Sequence, residues 1–562
     1  MNIGQFLKEN ELKKEFPAEV MAQVATVPDA VRPKDLWNRK DLRHLRTVTI
    51  DGDDAKDFDD AISIELLKNG NYRLHVHIAD VAHYVPEGSP IDKCAYERGT
   101  STYLINHVVS MLHKKLSNGI CSLNPNEDRL TLSVAMEIDP NGKVKKYDIF
   151  ESAINSDQRM TYNDVTAILN GDPKLHAKYI DYVDDFQHMK KLADILKRKR
   201  IERGAIPLDM PEPKFILDKT GNPIDVQKYE LGIANNIIEE FMLAANETVA
   251  KHMFKQQVPL VYRVHEDPDV EKIKKLAEML QGCGISLTYD KGFIQPKDLQ
   301  AVINKAKGTE YERAVSEVLL RSLMKARYCA ENWGHFGLAA EYYCHFTSPI
   351  RRYPDLCVHR RVKELLHNKI KGFEDINDIV NVRDRVEMAK LIKKTAEIAA
   401  HTSATERKAT EAERKWDDIN IAKIMKPLEG EEFIGTIISV EKFGLFVQLD
   451  NLAEGLVRMD DMKGGRYVYD DVKRVLRSQN TSDEYKIGDK MAVRLKSADI
   501  GSGDMRFSQV VAERELGSVN PYYNEKVFIK SKTSIRKMKN QAKKGPKHDK
   551  RQGRQGGRRG KR

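Results

Sequence analysis

The chain has 562 residues, 94 of them Lys or Arg and 84 Asp or Glu, which gives a formal net charge of +10. This length exceeds one hydrophobic core and predicts two to four domains. Because no apolar run approaches about 18 residues and the first residues lack a basic region followed by an apolar core, we expect neither a membrane span nor a secretory signal.

Hydrophobic periodicity predicts an order of elements along the chain. Residues 1–45 are predicted to be helical or irregular, and alternating apolar residues predict strands at 72–81 and 130–138. Helical periodicity follows in the windows 180–203, 231–254, 271–281, 310–333, 355–366 and 377–413. A composition change near residue 426 predicts a domain boundary. The strand-like runs beyond it fit a five-stranded barrel: 433–440, 444–449, 454–458 and 491–495.

The excess positive charge lies at the C-terminal end. Residues 526–562 contain 16 Lys or Arg and a single acid, Asp549, so the remainder of the chain is slightly acidic. Residues 551–562 are rich in Arg and Gly, cannot bury a core, and are predicted to be disordered. Contacts to phosphates release counterions, so this tail favours RNA or the ribosome as partner, with a solubilising role as the alternative.

The cysteines are scattered without Cys-x-x-Cys pairs, at positions 94, 121, 283, 329, 344 and 357. This spacing argues against a zinc site and against a disulfide framework. It predicts a reducing compartment, and we expect a cytoplasmic protein.

A crowded set of carboxylates is the most informative feature of the sequence. Six lie within ten residues, between the strand-like runs 47–50 and 61–66: Asp51, Asp53, Asp54, Asp57, Asp59 and Asp60. At about 4 Å such a pair repels by about 1 kcal/mol in water, and more when buried. A hard divalent cation such as Mg²⁺ is the natural partner for these oxygens. A solvated acidic loop is the alternative, which the flanking strands make less favourable.

Two distant segments suggest contacts to nucleic acid. In residues 345–356, Arg351 and Arg352 follow a Ser-Pro turn, and guanidinium groups grip phosphodiesters through two oxygens at once. An ordinary ion pair with Asp355 is an equal alternative. In the predicted barrel, aromatic and basic side chains favour base stacking and phosphate contacts, with core packing as the alternative: Phe443, Phe446, Arg458, Tyr467 and Tyr469.

Together these segments resemble the RNB family of exoribonucleases, the family of ribonuclease II and ribonuclease R. The resemblance covers residues 10–515 and is carried by ordered motifs: Thr49-Ile50-Asp51-Gly52, Ala55-Lys56-Asp57-Phe58-Asp59-Asp60-Ala61, His77-Ile78-Ala79-Asp80-Val81, Tyr103-Leu104, Cys121-Ser122-Leu123, Ile237-Ile238-Glu239-Glu240-Phe241-Met242 and Thr347-Ser348-Pro349-Ile350-Arg351-Arg352-Tyr353. The barrel is similar to the OB-type domain of ribosomal protein S-one. The tail and the Ala-Lys-Asp-Phe-Asp-Asp motif look more like the ribonuclease R branch.

The resemblance implies an α+β multidomain fold. It places an RNB catalytic domain, a mixed sheet surrounded by helices, at 46–425, a five-stranded OB-fold barrel at 426–515 and the disordered basic tail at 516–562. Residues 1–45 resemble the linker after the family's cold-shock domains, which we expect this chain to lack. We expect weaker RNA capture and a wider channel entrance as a result.

The implied activity is processive hydrolysis of RNA from its 3′ end to nucleoside 5′-monophosphates, with a role in RNA turnover and in processing structured RNA. The implied substrate is single-stranded RNA or RNA with a 3′ overhang, and the implied state is a monomer. Other RNA-decay proteins are further expected partners of the tail. Two alternatives stay open: a catalytically silent RNA-binding protein that keeps the fold, and a ribosome-associated factor.

Family roles map onto individual residues of this sequence. The catalytic and metal-binding aspartates, for two Mg²⁺ ions or alternatively Mn²⁺, are Asp51, Asp57, Asp59 and Asp60. Arg351 matches the arginine that contacts the scissile phosphate, with Arg352 as a neighbouring RNA contact, and Tyr103 matches the tyrosine that packs on the 3′-terminal nucleotide. Glu240 is expected near the metal region. Leu208 stands where relatives often have Phe, which argues against a two-sided aromatic clamp.

Overall fold

The computed structural model of the protein describes residues 1–207, 212–282, 284–289, 293–309, 312–370, 382–463, 465–470 and 474–510. Contacts divide the chain into two units: Met1–Ile421 with Ile500–Gly503, and Ala422–Asp499 with the residues from Asp504 onward. Leu208 and the predicted tail at 516–562 lie outside the described residues. Within the described ranges, no helix has the length and apolar character needed to span a membrane.

A seven-stranded mixed sheet, in the order β1-β8-β7-β4-β3-β2-β9, organises the first unit. The strands of this unit are β1 (Lys40–Asp41), β2 (Val48–Asp51), β3 (Asp60–Leu66), β4 (Tyr72–Ala79), β5 (Thr102–Leu104), β6 (His107–Val109), β7 (Asp128–Ile138), β8 (Val144–Asn155), β9 (Gln158–Thr161), β10 (Pro213–Leu217), β11 (Pro223–Lys228), β12 (Tyr262–Val264) and β13 (Arg327–Cys329). Three antiparallel strand pairs, β5-β6, β10-β11 and β12-β13, stand apart from the large sheet.

Helices cover the large sheet and extend beyond it. They are α1 (Ile3–Glu9), α2 (Ala18–Thr26), α3 (Val81–Tyr84), α4 (Pro90–Arg98), α5 (Tyr162–Leu169), α6 (Pro173–Lys178), α7 (Val183–Arg203), α8 (Ile233–Lys255), α9 (Val270–Gly282), α10 (Pro296–Ala306), α11 (Glu312–Ser322), α12 (Tyr353–Leu366) and α13 (Val382–Met425). Phe186 of α7 and Phe241 of α8 are fully buried with Ile62 and Leu74 of the sheet. Burial of such side chains contributes about 1.5 to 3 kcal/mol each.

Among the described residues, the predicted helices agree with the structure except near residue 325, and residues 377–381 of the helix predicted over 377–413 lie outside the described residues. The helix predicted over 310–333 ends at Ser322, and Arg327–Cys329 forms β13 instead, paired antiparallel with β12. Tertiary pairing therefore overrides the helical pattern there, since the three residues gain a strand partner. Helix α13 continues beyond the predicted residue 413 to Met425.

The N-terminal residues pack into the first unit. Phe6 of α1 is fully buried, with its ring 4.7 Å from that of Trp416 in α13. Val20 and Val24 of α2 belong to the same buried cluster as Phe58, which lies inside the aspartate-rich segment. The segment predicted as a linker thus supports the interior of the unit in this structure.

The second unit contains the predicted barrel. Five strands close it in the order β14-β15-β16-β21-β20, and a separate sheet holds three more. The strands are β14 (Glu432–Glu441), β15 (Gly444–Leu449), β16 (Glu454–Arg458), β17 (Tyr467–Asp470), β18 (Val475–Ser478), β19 (Glu484–Tyr485), β20 (Lys490–Ala498) and β21 (Met505–Gln509). The α+β fold class with a five-stranded barrel is therefore confirmed.

Candidate active site

The aspartate-rich segment connects two strands at one end of the large sheet. Strand β2 ends at Asp51, β3 begins at Asp60, and the two strands are antiparallel neighbours. Strand β9 lies parallel to β2 on its other side, with Thr161 beside Asp51. Residues 52–59 therefore form a loop at the ends of these strands. Strand pairing holds Asp51 and Asp60 on either side of the loop.

Side chains from elsewhere fix the shape of this loop. The Ser122 hydroxyl donates to the Lys56 carbonyl at 2.9 Å and accepts the Phe58 N–H at 3.0 Å. Arg159 Nη2 donates to the carbonyls of Gly52 and Asp53, both at 2.8 Å. Because these bonds reach both halves of the loop, its carboxylates are positioned before any ligand arrives.

Asp59 joins the loop to the distant Ser-Pro-Ile-Arg-Arg motif. Its Oδ1 accepts a 2.8 Å hydrogen bond from the N–H of Ile350, and its Oδ2 lies 3.8 Å from Arg351 Nε. The Asp59 carbonyl accepts from the N–H of Ala79 at 2.9 Å. Asp59 is therefore a buried residue whose carboxylate contacts the Ile350–Arg351 segment and whose main-chain carbonyl is bonded to β4.

The electrostatics of the cluster disfavour its negative charges. Burial raises the pKa of Asp59 well above its usual value, although Arg351 opposes this shift. Burial and the neighbouring Asp60 raise the pKa of Asp51, and burial raises the pKa of Asp60 to about 6 in spite of Arg351 and Arg352. A bound cation stabilises the ionised form of buried, closely spaced carboxylates such as these.

The donor set fits a divalent cation that keeps part of its water shell. Asp51 Oδ2 is buried and has no hydrogen-bond partner, which is costly unless a ligand satisfies it. Within the described residues, no three or more His, Cys, Asp or Glu side chains are arranged to enclose a metal by themselves. Mg²⁺ is usually held by one or two carboxylates with water and substrate phosphates, so this open arrangement suits it.

Tyr103 lies at the edge of the aspartate loop. Its side chain is 41% exposed, and its hydroxyl donates to Asp57 Oδ2 at 3.0 Å. Burial of the hydroxyl and the charge of Asp57 raise its pKa, so it stays a donor. The N–H of Tyr103 donates to Glu413 Oε1 at 2.6 Å. The residue is thus held beside the carboxylates by two hydrogen bonds while part of it stays exposed.

Backbone bonds link Tyr103 to Arg351. The N–H of Ser101 donates to the Arg351 carbonyl at 2.9 Å, and the N–H of Tyr353 donates to the Gly99 carbonyl at 3.0 Å. Residues 99–101 come immediately before β5, which carries Tyr103. The structure therefore brings the predicted aspartates, Arg351 and Tyr103 to one place.

The two adjacent arginines have different surroundings. The Arg351 side chain is 42% exposed, and its Nη2 donates to Ser348 Oγ at 3.0 Å. The Arg352 side chain is only 17% exposed, and its Nη2 donates at 2.7 Å to Asp355, which is fully buried. Of the two side chains, Arg351 is the more exposed and the one beside Asp59. The RNA contact predicted for Arg352 is not supported by this geometry, which gives it a structural ion pair instead.

Glu240 lies away from the predicted metal region. It is buried in α8 and accepts from Arg200 Nη2 of α7 at 2.6 Å. Burial raises its pKa, and the Arg200 guanidinium opposes the shift. The expectation that it approaches the metal is corrected, because its carboxylate is occupied by a helix–helix ion pair.

Several supporting residues were not assigned a role from the sequence. Ser122 belongs to the motif Cys121-Ser122-Leu123 but carries no charged group that would suggest a role in the site. Arg159 and Glu413 act through backbone groups, which no spacing pattern reveals. Tyr162, at the start of α5, has its pKa raised by burial and by Asp60 and Asp51, which places it at the same carboxylates.

The aromatic residues predicted for RNA contact divide between two sheets of the second unit. Phe443, in the β14–β15 turn, is 55% exposed, and its ring lies 6.2 Å from that of Phe446 on β15. Arg458 on β16 is exposed and pairs with Gly444 at the same turn.

Tyr467 and Tyr469 belong to the three-stranded sheet rather than to the barrel. Tyr467 is 8% exposed, and its hydroxyl donates to the Lys463 carbonyl at 2.6 Å. Its surroundings do not support the predicted stacking role, because its ring packs beside Tyr485. Tyr469 is half-buried on the same strand.

Comparisons with known proteins assign a domain family to each of two regions of the chain. Residues 39–368 match the RNB domain family, and residues 426–508 match the S1 RNA binding domain family. The chain is 42% identical over 516 residues to Ribonuclease R 1 of Lactococcus lactis, covering 92% of this chain and 62% of that protein. It is 41% identical over 498 residues to Ribonuclease R of Aquifex aeolicus, covering 88% and 68%.

A solved structure is similar to both units. Mycoplasma genitalium RNase R, in complex with ribose methylated single-stranded RNA, aligns with a TM-score of 0.81 and 29% identity, covering 91% of this chain and 78% of that chain. The chain spans 62% and 68% of the length of the two curated relatives above.

Proposed function

The chain belongs to the RNB family, and from this premise we propose that it hydrolyses RNA processively from the 3′ end and releases nucleoside 5′-monophosphates. One observation carries the proposal. The loop carboxylates, Arg351 and an exposed Tyr103 ring meet at one edge of the sheet, joined by the Asp59–Ile350 and Tyr103–Asp57 hydrogen bonds. This combination provides cation ligands, a phosphate contact and a stacking surface together.

The proposed cation ligands are Asp51, Asp57, Asp59 and Asp60. Two bound Mg²⁺ ions would activate the attacking water and stabilise the departing 3′ oxygen. The unpartnered Oδ2 of Asp51 supports its place among the ligands. Mn²⁺ is the alternative ion, because it accepts the same oxygen donors.

Arg351 is proposed to bind the scissile phosphate. Its guanidinium is half-exposed, is oriented by Ser348 Oγ, and presents a planar fork of donors that matches phosphate oxygens. Charge developing on the phosphate oxygens in the transition state strengthens this contact, which is the condition for lowering the barrier.

Tyr103 is proposed to position the strand end. Stacking of its ring on the terminal base would hold the last phosphodiester at the carboxylates without taking part in the bond change. The hydroxyl is already engaged by Asp57 Oδ2, which fixes the tilt of the ring.

The second unit is proposed to hold RNA upstream of the cleavage site. The exposed Phe443, with Phe446 and Arg458 at the same turn, supports base stacking combined with phosphate contact. The preferred substrate is single-stranded RNA or RNA with a 3′ overhang. The domain boundaries at 45, 425 and 515, a tail contact to the ribosome or to RNA-decay proteins, the cytoplasmic location and the monomeric state stay predictions.

The test is incubation of the full chain with a 3′-tailed RNA labelled at its 3′-terminal nucleotide, with Mg²⁺ and with a chelator, followed by chromatography of the products. We expect nucleoside 5′-monophosphates and loss of activity on metal removal. Internal fragments with free 3′ ends would contradict the exonuclease proposal. Intact RNA with Mg²⁺ would favour the catalytically silent alternative, against which the full set of aspartates argues.

A further inference from the structure

A basic cleft lies on the first unit between α7, α8 and the β7–β8 turn. Its volume is about 500 Å³, within the usual range for ligand sites. Seven basic and three acidic side chains line it, so its formal charge is strongly positive. None of them belongs to the aspartate loop or to the Ser-Pro-Ile-Arg-Arg motif.

Strand register places this cleft at the far end of the sheet from the aspartates. Asp60 begins β3 and Leu66 ends it, a span of about 20 Å at about 3.3 Å per residue. Leu66 pairs with Tyr72 on β4, and Tyr72 pairs with Ile138 on β7. The β7–β8 turn therefore follows the strand end opposite to Asp60, and the cleft is a separate site.

The arginines of the cleft are already paired. Arg203 donates to both carboxylate oxygens of Glu247, at 2.8 and 2.7 Å, and Arg200 is bonded to Glu240. Lys199 Nζ donates to the Gly142 carbonyl at 2.6 Å, which ties α7 to the β7–β8 turn. These bonds pair two of the three acidic side chains, and the third, Glu341, accepts a hydrogen bond from the Tyr342 hydroxyl.

The remaining lysines carry the excess charge. Lys143, Lys145, Lys251 and Lys255 are exposed, and their ammonium groups have no ion pair among the described residues. Lys143 lies in the β7–β8 turn, Lys145 at the start of β8, and Lys251 and Lys255 in the last turns of α8. Four unpaired cations converging on one concave surface favour a ligand with several anionic oxygens.

Aromatic side chains at the same cleft narrow the ligand class. Tyr147 and Tyr342 line it, and the Tyr342 ring lies 4.8 Å from that of Phe254. Trp333 is exposed in a neighbouring loop, whose Asn332 donates to the Glu341 carbonyl. Lysines beside aromatic rings recognise phosphate together with a base, as in proteins that bind single strands.

We propose that this cleft is a second, non-catalytic binding site for nucleoside phosphates. The shared chemistry is a phosphate held by Lys145, Lys251 and Lys255 with a base against the aromatic rim. The source is either a free nucleoside monophosphate or a segment of an RNA strand. Binding there requires no hydrolysis, so the inference goes beyond the proposed function and stands independently of it.

The test is lysine footprinting of the full chain in the presence of a chelator, which keeps RNA intact. An amine-reactive acetylating reagent is applied with adenosine, with 5′-AMP or with a long oligoadenylate, and each lysine is read by mass spectrometry. We expect Lys145, Lys251 and Lys255 to be protected by 5′-AMP if the source is a free nucleotide. Protection by oligoadenylate alone would assign the site to an RNA strand.

A matched pair of variants completes the experiment. The double variant Lys251→Ala/Lys255→Ala should lower the affinity for the ligand that protects the lysines at least about tenfold, because two charge-assisted contacts are lost. Lys272→Ala/Lys275→Ala removes the same charge from exposed positions on α9 outside the cleft and should leave affinity unchanged. Cleavage of a short RNA should proceed normally in both.

The proposal is overturned if neither phosphate ligand protects these lysines more than adenosine does. Equal loss of affinity in the two double variants would overturn it as well, since it would reflect net charge alone. Failure of RNA hydrolysis with intact footprints would count against the proposed function and leave the cleft assignment in place.

Discussion

The N–H of Ile350 donates a 2.8 Å hydrogen bond to Asp59 Oδ1 across 291 residues of sequence. This bond fixes the carboxylate that also lies 3.8 Å from Arg351 Nε. Because the donor is a backbone group, a substitution at residue 350 removes it only when the new residue is proline. The position of the aspartate loop relative to Arg351 is therefore set by the main chain.

Asp59→Asn is expected to abolish most hydrolysis and to keep RNA binding. Asn has nearly the same shape, and its Oδ1 still accepts the Ile350 N–H, but it lacks the charge that binds a cation. Turnover should fall at least about 100-fold, as when one preorganised charge contact is lost. Single-turnover rates and RNA affinity in chelator measure the two effects. Asp54→Asn, an exposed neighbour, is the control and should retain activity.

Substitutions at Tyr103 should separate stacking from hydrogen bonding. Tyr103→Ala loses a stacking contact worth about 1 to 3 kcal/mol per base, so affinity for the RNA 3′ end should fall. Tyr103→Phe keeps the ring and loses only the hydroxyl bond to Asp57. Equilibrium binding in chelator to RNAs ending in a base or an abasic nucleotide measures this. Equal losses for both variants would contradict the stacking role.

The adjacent arginines should respond differently to replacement by Met. Arg352→Met leaves the buried Asp355 without its cation, which costs about 3 to 5 kcal/mol for a buried pair. Arg351→Met removes an exposed guanidinium, so the melting temperature should change little while hydrolysis is lost. Calorimetry and cleavage assays on both proteins provide the measurement. A stable Arg352→Met protein that fails to bind RNA would restore the sequence prediction for Arg352.

Acidification should destabilise the first unit through His77. Burial lowers its pKa to about 3, and its ring nitrogens lie 3.2 and 2.7 Å from the hydroxyls of Ser63 and Ser133. The unfolded chain binds a proton at about pH 6.5. Stability due to neutral His77 is therefore complete above about pH 6.5 and is lost as pH falls toward 3.

His77→Gln should lower stability at neutral pH and flatten the pH dependence below 6.5. Melting temperatures of both proteins between neutral and mildly acidic pH measure this difference. Parallel curves for the two proteins would show that His77 does not contribute to the acid sensitivity.

The barrel offers a paired test of RNA contact. Phe443→Ala removes an exposed ring and should weaken RNA binding in chelator without a change in melting temperature. Tyr467→Phe removes the 2.6 Å bond to the Lys463 carbonyl and should cost about 1 kcal/mol of stability with RNA affinity unchanged. Weaker RNA binding by Tyr467→Phe at constant stability would contradict the assignment of Tyr467 to packing.

The acidic cluster and the adjacent arginines are visible in the sequence pattern, whereas the roles given to individual residues rest on the resemblance to the RNB family and stay predictions. Asp51 and Asp60 end and begin strands, so alternation alone places them at a loop. The contact between Asp59 and Ile350 depends on tertiary packing over a long separation, which no local period encodes. Arg351 and Arg352 are identical in type and adjacent, so only burial distinguishes their roles.

In the second unit, too, local patterns predict some features and miss those that depend on tertiary pairing. Its hairpin β14–β15 was predicted from alternation because both strands are local. Composition favours placing Tyr467 and Tyr469 in the barrel, but their strand β17 pairs with β18, and β18 with β19, as a separate sheet. Insertion of such a sheet between barrel strands leaves no signature in the hydrophobic pattern.

The Ser122 hydroxyl has a consequence for redesign of this enzyme class. It donates to Lys56 and accepts from Phe58, so one oxygen atom templates the turn that presents Asp57 and Asp59. A grafted copy of residues 51–60 alone would lose these two hydrogen bonds, and its carboxylates would no longer be held in one arrangement. Transplantation therefore has to carry residues 121–123 along with the aspartates, as a two-segment module.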